Sequence, residues 1–217
     1  MKKILVWDKH TRLFHWFLVV FIVFSLATGL ANDMDMMEYH MLSGYTLMAL
    51  LLFRVMTGLL GGDYANFSKF PIKPREVIGY IKGGRHYYGH NPLGSLMILT
   101  FLMVILTQVL SGFMTSDDIF LEGPWVAFVN EEWVSLAGTI HGMNYYLLLF
   151  LISTHVFAVI YYEKIKNQDL IVPMFTGLKN VDGRIDDQHE ATVMSYRRLV
   201  MILLISCGLS WFLVTFS

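Results

Sequence analysis

The chain has 217 residues, 55% of them hydrophobic and 15% charged, with a formal net charge of −1. Soluble domains carry about 25% charged residues, so this balance, with a mean hydropathy of +0.53, excludes an ordinary soluble protein. Nothing in it calls for a nucleic-acid partner.

Five segments approach the roughly 20 apolar residues needed to cross hydrocarbon: 14–30, 40–60, 93–114, 134–162 and 199–216. The expected fold is therefore an all-α integral membrane protein, a transmembrane helical bundle. Residues 1–180 are read as a four-helix core, and 181–217 as a loop followed by a fifth span. The connections are too short for a second soluble domain, and no internal repeat is visible.

The first span follows Lys2, Lys3, Lys9 and Arg12 and carries His15. Its apolar stretch exceeds a usual signal core, so it is read as a retained helix. His10, just ahead of it, reads as solvated or interfacial. The second span opens at His40, with Gly44 one turn on and Arg54 fourteen residues on. A basic loop follows, containing a polar–aromatic cluster of His86, Tyr87, Tyr88 and His90. The third span starts beside Pro92, a residue suited to a first helical turn. The fourth holds both His141 and His155 and is long enough to tilt or project. In the fifth, Cys207 is read as a packing residue, because no Cys-x-x-Cys-His and no thiolate cluster exists. His189 lies in a polar loop.

All sixteen Lys and Arg fall on one side of this five-span arrangement. The opposite loops hold Asp33, Asp35, Glu38, Asp117, Asp118, Glu122, Glu131 and Glu132 and no basic residue. By the positive-inside rule the N-terminus is expected in the cytoplasm and the C-terminus outside. Depth then sorts the four intramembrane histidines into two pairs: His15 with His155 near the inner surface, and His40 with His141 near the outer. His141 and His155 are fourteen residues apart, about 40° short of four turns, so they share a face roughly 21 Å apart along the axis.

Ionisable side chains in a span are costly and read as functional. Zinc usually takes four protein ligands, and copper recruits Met, Cys or further His. Two facing imidazoles in a bundle suit an iron porphyrin, which brings its own four nitrogens. Gly44, Gly138 and Gly29 are candidates for making room for a macrocycle, or equally for close helix packing. Arg54 shares a face with His40 at the inner level, where a guanidinium suits haem propionates; the other reading is a snorkelling Arg.

The opening VWDKHTRLFHW (residues 6–16), HMLSGYTLMALLLFRVMTGLLGG (40–62), GHNPLG (89–94) and THVFAVIYYEKIKNQDLIVPMFTGLK (154–179) together resemble the prokaryotic cytochrome b561 family. That family includes the cytochrome b subunits of nickel–iron hydrogenases. The last segment carries the family's Asn-x-x-Leu-x-x-x-Met-x-x-Gly tail as Asn167, Leu170, Met174 and Gly177. Thr57 and Asn66 depart from the family pattern, which often has Trp at the first position and an Arg-Phe pair at the second.

The resemblance implies a di-haem core with two non-covalent haem b groups, ligated by His15 with His155 and His40 with His141. It implies electron exchange between the quinone pool and a periplasmic redox protein, such as a c-type cytochrome or a hydrogenase small subunit. The inner membrane and its lipid are the expected setting, and the cluster at 86–90 is a weak quinone candidate or else an interfacial aromatic belt. Two other classes are weighed. A superoxide:quinone oxidoreductase needs a basic funnel, and the outer loops are acidic. A metal or proton transporter usually shows an inverted repeat or broken helices, and neither is seen.

Overall fold

The computed structural model describes residues 2–31, 33–63, 65–83, 87, 89–116, 121–181 and 192–216. In chain order the elements are β1 (Lys2–Leu5), α1 (Lys9–Gly29), α2 (Met34–Leu60), α3 (Pro74–Ile81), α4 (Pro92–Phe113), α5 (Glu131–Lys164), α6 (Ile171–Thr176), β2 (Leu178–Val181) and α7 (Tyr196–Thr215). Single 3-10 turns lie at Phe67–Lys69 and Val126–Phe128. Helices α1, α2, α4, α5 and α7 are long and apolar enough to cross a membrane; the chain is a multi-pass membrane protein.

Four of these helices start the same way. Asp8, Asp33, Asn91 and Asn130 sit in extended backbone and accept from the amides of Thr11, Met36, Gly94 and Trp133 at 2.9, 3.2, 2.7 and 3.0 Å. Each cap satisfies a donor that no helical carbonyl can reach. These polar first turns are helical without being apolar, which is why α1 and α2 begin five and six residues before their apolar runs. At about 1.5 Å per residue, the 34 residues of α5 reach about 51 Å, well beyond a hydrocarbon core of about 30 Å.

Helix α2 is the hub. It packs against α1, α4 and α7, while α4 packs against α5. The shared core joins Ile22 of α1, Leu47, Met48 and Leu51 of α2, Val104, Ile105 and Val109 of α4, and Leu148 and Leu151 of α5. Helix α7 lies along the flank of α2. Buried Ser210 donates to Tyr45 O at 2.8 Å, and Trp125 Nε1 donates to Leu213 O at 2.9 Å. Cys207, expected to pack, is exposed on this helix, because buried Ser206 and Ser210 form its inner face.

At the end carrying the basic loops, β1 and β2 form an antiparallel pair running from Lys2↔Val181 to Leu5↔Leu178. This small sheet is absent from the all-α expectation. The clasp continues past the strands. Val6 N and Trp7 N donate to Gly177 O at 2.9 and 3.2 Å. Arg12 Nη1 donates to Phe175 O, and Trp16 Nε1 to Met174 O at 3.2 Å. Gly177 is left-handed, with φ +82, and a Cβ there would lie 2.6 Å from Trp7 O, so only glycine fits.

Candidate functional site

At the acidic end, His40 on α2 and His141 on α5 face each other with ring centroids 6.0 Å apart and planes at 88°. Each ring is held by the helix beside it. His40 Nδ1–H donates to Ser25 O at 2.8 Å, with Ser25 Oγ at 3.3 Å. His141 Nδ1–H donates to Gln108 O at 3.0 Å, with Ser111 Oγ at 3.3 Å. A carbonyl can only accept, so Nδ1 carries the proton that each ring donates, and the neutral form of either ring has its lone pair on Nε2.

Each carbonyl has a glycine four residues further along its helix, and the glycine makes way for the imidazole. A Cβ on Gly29 would sit 2.7 Å from His40 Nδ1, and one on Gly112 would sit 2.9 Å from His141 Cε1. Gly29 therefore does not clear space for a macrocycle; the His40 ring fills it. Gly138 is in ordinary contact with a Thr115 methyl at 3.9 Å, whereas a Cβ on Gly44 would meet nothing within 4 Å. The repeat of carbonyl, Gly and His on α1–α2 and α4–α5 is geometric. It escapes a search for sequence repeats because the holder is Ser25 in one case and Gln108 in the other.

At the basic end, His15 on α1 and His155 on α5 are half-buried and close enough to interact electrostatically. His15 stands edge-on to Trp16, and His155 edge-on to Phe101. His15 Nδ1 is buried with no hydrogen-bond partner among the described residues. Among those residues no group of three or more His, Cys, Asp or Glu forms, so each level offers two imidazoles rather than a protein-built tetrahedron. Two imidazoles on one metal, each bond about 2 Å long, have ring centres about 6 Å apart. The His40–His141 spacing, with Nδ1 of both rings engaged by carbonyls, fits a metal carried in a macrocycle, and Gly44 lies open nearby in sequence.

Arg54 is 4% exposed, so it does not snorkel. Its Nη1 donates to Ala65 O at 3.0 Å, its guanidinium lies 4.5 Å from the Phe67 ring centre, and it interacts electrostatically with Asp8. The two positions that depart from the family pattern shape this corner. Thr57, 2% exposed, donates to Arg54 O at 3.1 Å. Asn66 caps the turn that places Phe67 through Ser68 N at 2.9 Å, and Phe67 fits because Gly58 has no Cβ to meet it.

His10, expected to be solvated or interfacial, is 8% exposed with Nε2 3.0 Å from Asp8 Oδ2. Burial raises the Asp8 pKa, but the bonds from His10 and Thr11 outweigh it and hold the carboxyl below its ordinary 3.8.

His90 lies between Trp7 and Phe70, with ring centroids at 4.4 and 4.9 Å. It lines a cavity of about 380 Å³ with Asp63, Lys69, Phe70, Glu76 and Tyr87. Phe70 also stacks edge-on with Phe67, at 5.4 Å, so the cavity wall is continuous with the Arg54 corner. Burial and the bond to Tyr162 raise the pKa of Tyr80, which neighbours Tyr87. His86, Tyr88 and His189, like Asp117 and Asp118, lie outside the described residues.

Ser25, Gln108, Ser111, Gly112 and Asn144 belong to the site without having been singled out from sequence. Gln108 and Asn144 carried a usable signal, being amides inside otherwise apolar spans.

Residues 6–177 match the family described as prokaryotic cytochrome b561. The chain is also 25% identical over 207 residues to a probable Ni/Fe-hydrogenase B-type cytochrome subunit from Azotobacter chroococcum mcd 1, covering 79% of this chain and 86% of the relative.

Proposed function

The chain belongs to the prokaryotic cytochrome b561 family, and from that premise we propose a di-haem b-type cytochrome that moves electrons between the membrane quinone pool and a periplasmic redox partner. Membership makes it a membrane cytochrome of electron transfer carrying b-type haem. The number of haems, the quinone, the partner and the sidedness are the proposal.

The observation that carries it is the His40–His141 pair, 6.0 Å apart with each Nδ1 bonded to a helix carbonyl. Imidazoles so fixed would bind a shared metal through Nε2, and the carbonyls would raise their basicity as ligands. His15 and His155 would be the second pair, at the other membrane surface. Haem, when bound, would supply reversible one-electron chemistry; the protein would supply imidazole ligands from His40, His141, His15 and His155, burial and hydrogen bonds. Arg54, with donors beyond the one given to Ala65, would hold propionates at the basic end.

By the positive-inside rule the basic end faces the cytoplasm of a bacterial inner membrane. The cavity by His90 would take the quinone headgroup there. Glu76, Tyr87 and His90 on its wall are groups able to pass protons to or from it. At the other end Asp33, Asp35, Glu38, Glu122, Glu131 and Glu132 are exposed. Such a surface steers a partner with a positive patch; a hydrogenase small subunit or a c-type cytochrome fits.

The test is pyridine-haem quantification with reduced-minus-oxidised spectra on the purified protein and on His141→Ala. Two haem b per chain, falling to one in the variant, is expected. One haem in the wild type breaks the paired arrangement, and none removes the reading.

A further inference from the structure

Helices α4 and α5 exchange a run of side-chain hydrogen bonds that hydrophobic packing does not require. Gln108 and His141 bond each other twice. His141 Nδ1–H donates to the Gln108 carbonyl at 3.0 Å, and Gln108 Nε2–H donates back to the His141 carbonyl at 3.2 Å. Asn144, one turn beyond His141 and 9% exposed, donates to Gln108 Oε1 at 2.7 Å and to Val104 O at 2.9 Å. Ser111 Oγ donates to Thr107 O at 2.7 Å, which leaves its lone pairs facing His141 Nδ1.

Amides in hydrocarbon are costly unless satisfied, and apolar side chains at 108 and 144 would pack two helices without that cost. The opposite ligand lacks such a device. Among the described residues the His40 ring hydrogen-bonds to Ser25, through its carbonyl and hydroxyl, with no side-chain amide in the pair. The two rings nevertheless stand crosswise, at 88°.

We propose that Gln108 and Asn144 are positioning residues that hold the His141 imidazole crosswise to His40 and thereby set the electronic state of the metal those two histidines bind. The inference rests on the haem reading above. The backbone carbonyl at 108 holds the His141 ring whatever the side chain, whereas the Gln108 amide pins the His141 backbone and Asn144 pins that amide, so the two side chains act on the ring plane through the register of α5 on α4. When axial imidazole planes cross, the two iron d orbitals of π symmetry stay close in energy; when the planes align, those orbitals split. Crossed planes give a strongly anisotropic low-spin resonance with one broad low-field feature, and aligned planes give three resolved lines.

The experiment is electron paramagnetic resonance of the oxidised full-length protein with a redox titration of both haems, on wild type, Gln108→Met and Gln108→Met/Asn144→Leu. The double variant removes both amides, so it leaves no orphaned polar group if the single variant folds poorly. The wild type is expected to show the broad low-field feature. In the variants one haem moves toward a three-line spectrum and shifts its midpoint potential, while the other is unchanged and haem content holds. Unchanged spectra and potentials would reduce the amides to helix packing and overturn the proposal. Both haems shifting together would overturn it too, as general loosening. A wild type without haem, or His141→Ala retaining two, would instead overturn the haem reading beneath it.

Discussion

Gly29→Ala tests the histidine cradle at its tightest point. The new methyl would lie 2.7 Å from His40 Nδ1 and 2.8 Å from His40 Cε1, about 0.7 Å or more inside ordinary contact. The ring cannot keep its place. Moving it by that amount stretches the 2.8 Å bond to Ser25 O to the edge of hydrogen bonding, and it changes the placement of the ring relative to His141. Loss of an outer partner of a metal-bound histidine typically costs 10–100-fold in metal affinity, or about 1.4–2.7 kcal/mol. Haem titration of the apoprotein should therefore show one site weakened by about that factor and the other intact. Gly29 is the last residue of α1, so little of the propensity gain of an interior Gly→Ala change is available, and the haem titration is the deciding readout. Two full-affinity haems in Gly29→Ala would refute the cradle as the determinant of ligand geometry.

Gly44→Ala is the complementary case: with nothing within 4 Å of its Cβ, it should leave the apoprotein as stable or more so while lowering haem content, checked by melting and pyridine-haem assay side by side. Gly177→Ala combines a left-handed φ of +82 with a contact to Trp7 O, and should cost roughly 1–3 kcal/mol, read as a lower melting temperature and faster proteolysis at the N-terminal strand. Asp8, whose carboxyl is held below 3.8, stabilises the fold above that value and loses this contribution as pH falls through its lower folded pKa. Melting temperature should accordingly drop more steeply from pH 5 to 3 in wild type than in Asp8→Asn, and parallel curves would deny Asp8 the role.

The spans were legible because twenty apolar residues in a row admit few alternatives, and the partition of histidines by depth followed from topology. What held each histidine was not legible. Backbone carbonyls of Ser25 and Gln108 carry no residue code, and the glycines that admit the rings look like any packing glycine. The small sheet was hidden for a different reason: its strands are four residues each, lie at opposite ends of the four-helix core, and include lysines that suggest a solvated terminus. His10, read as solvated or interfacial, is buried beside Asp8, a partner the sequence gives no sign of. Arg54 was placed at the correct end, but its partners Ala65 and Phe67 depend on the loop conformation set by Asn66 and Gly58.

The clasp between the N-terminus and the α6–β2 segment imposes an order of assembly. His40 meets its holder across 15 residues, and His141 across 33. Both cradles close within a helical hairpin as soon as each pair of helices is in the membrane. Arg12 and Trp16, flanking His15, find their partners only 163 and 158 residues later. Loop-closure entropy grows slowly with length, so the delay is set by the emergence of the fourth span and its tail from synthesis rather than by free energy. The acidic-end site is complete first. The basic-end site waits on residues 174–177, and a chain stopped before them would carry a finished acidic-end pair beside an open basic-end one.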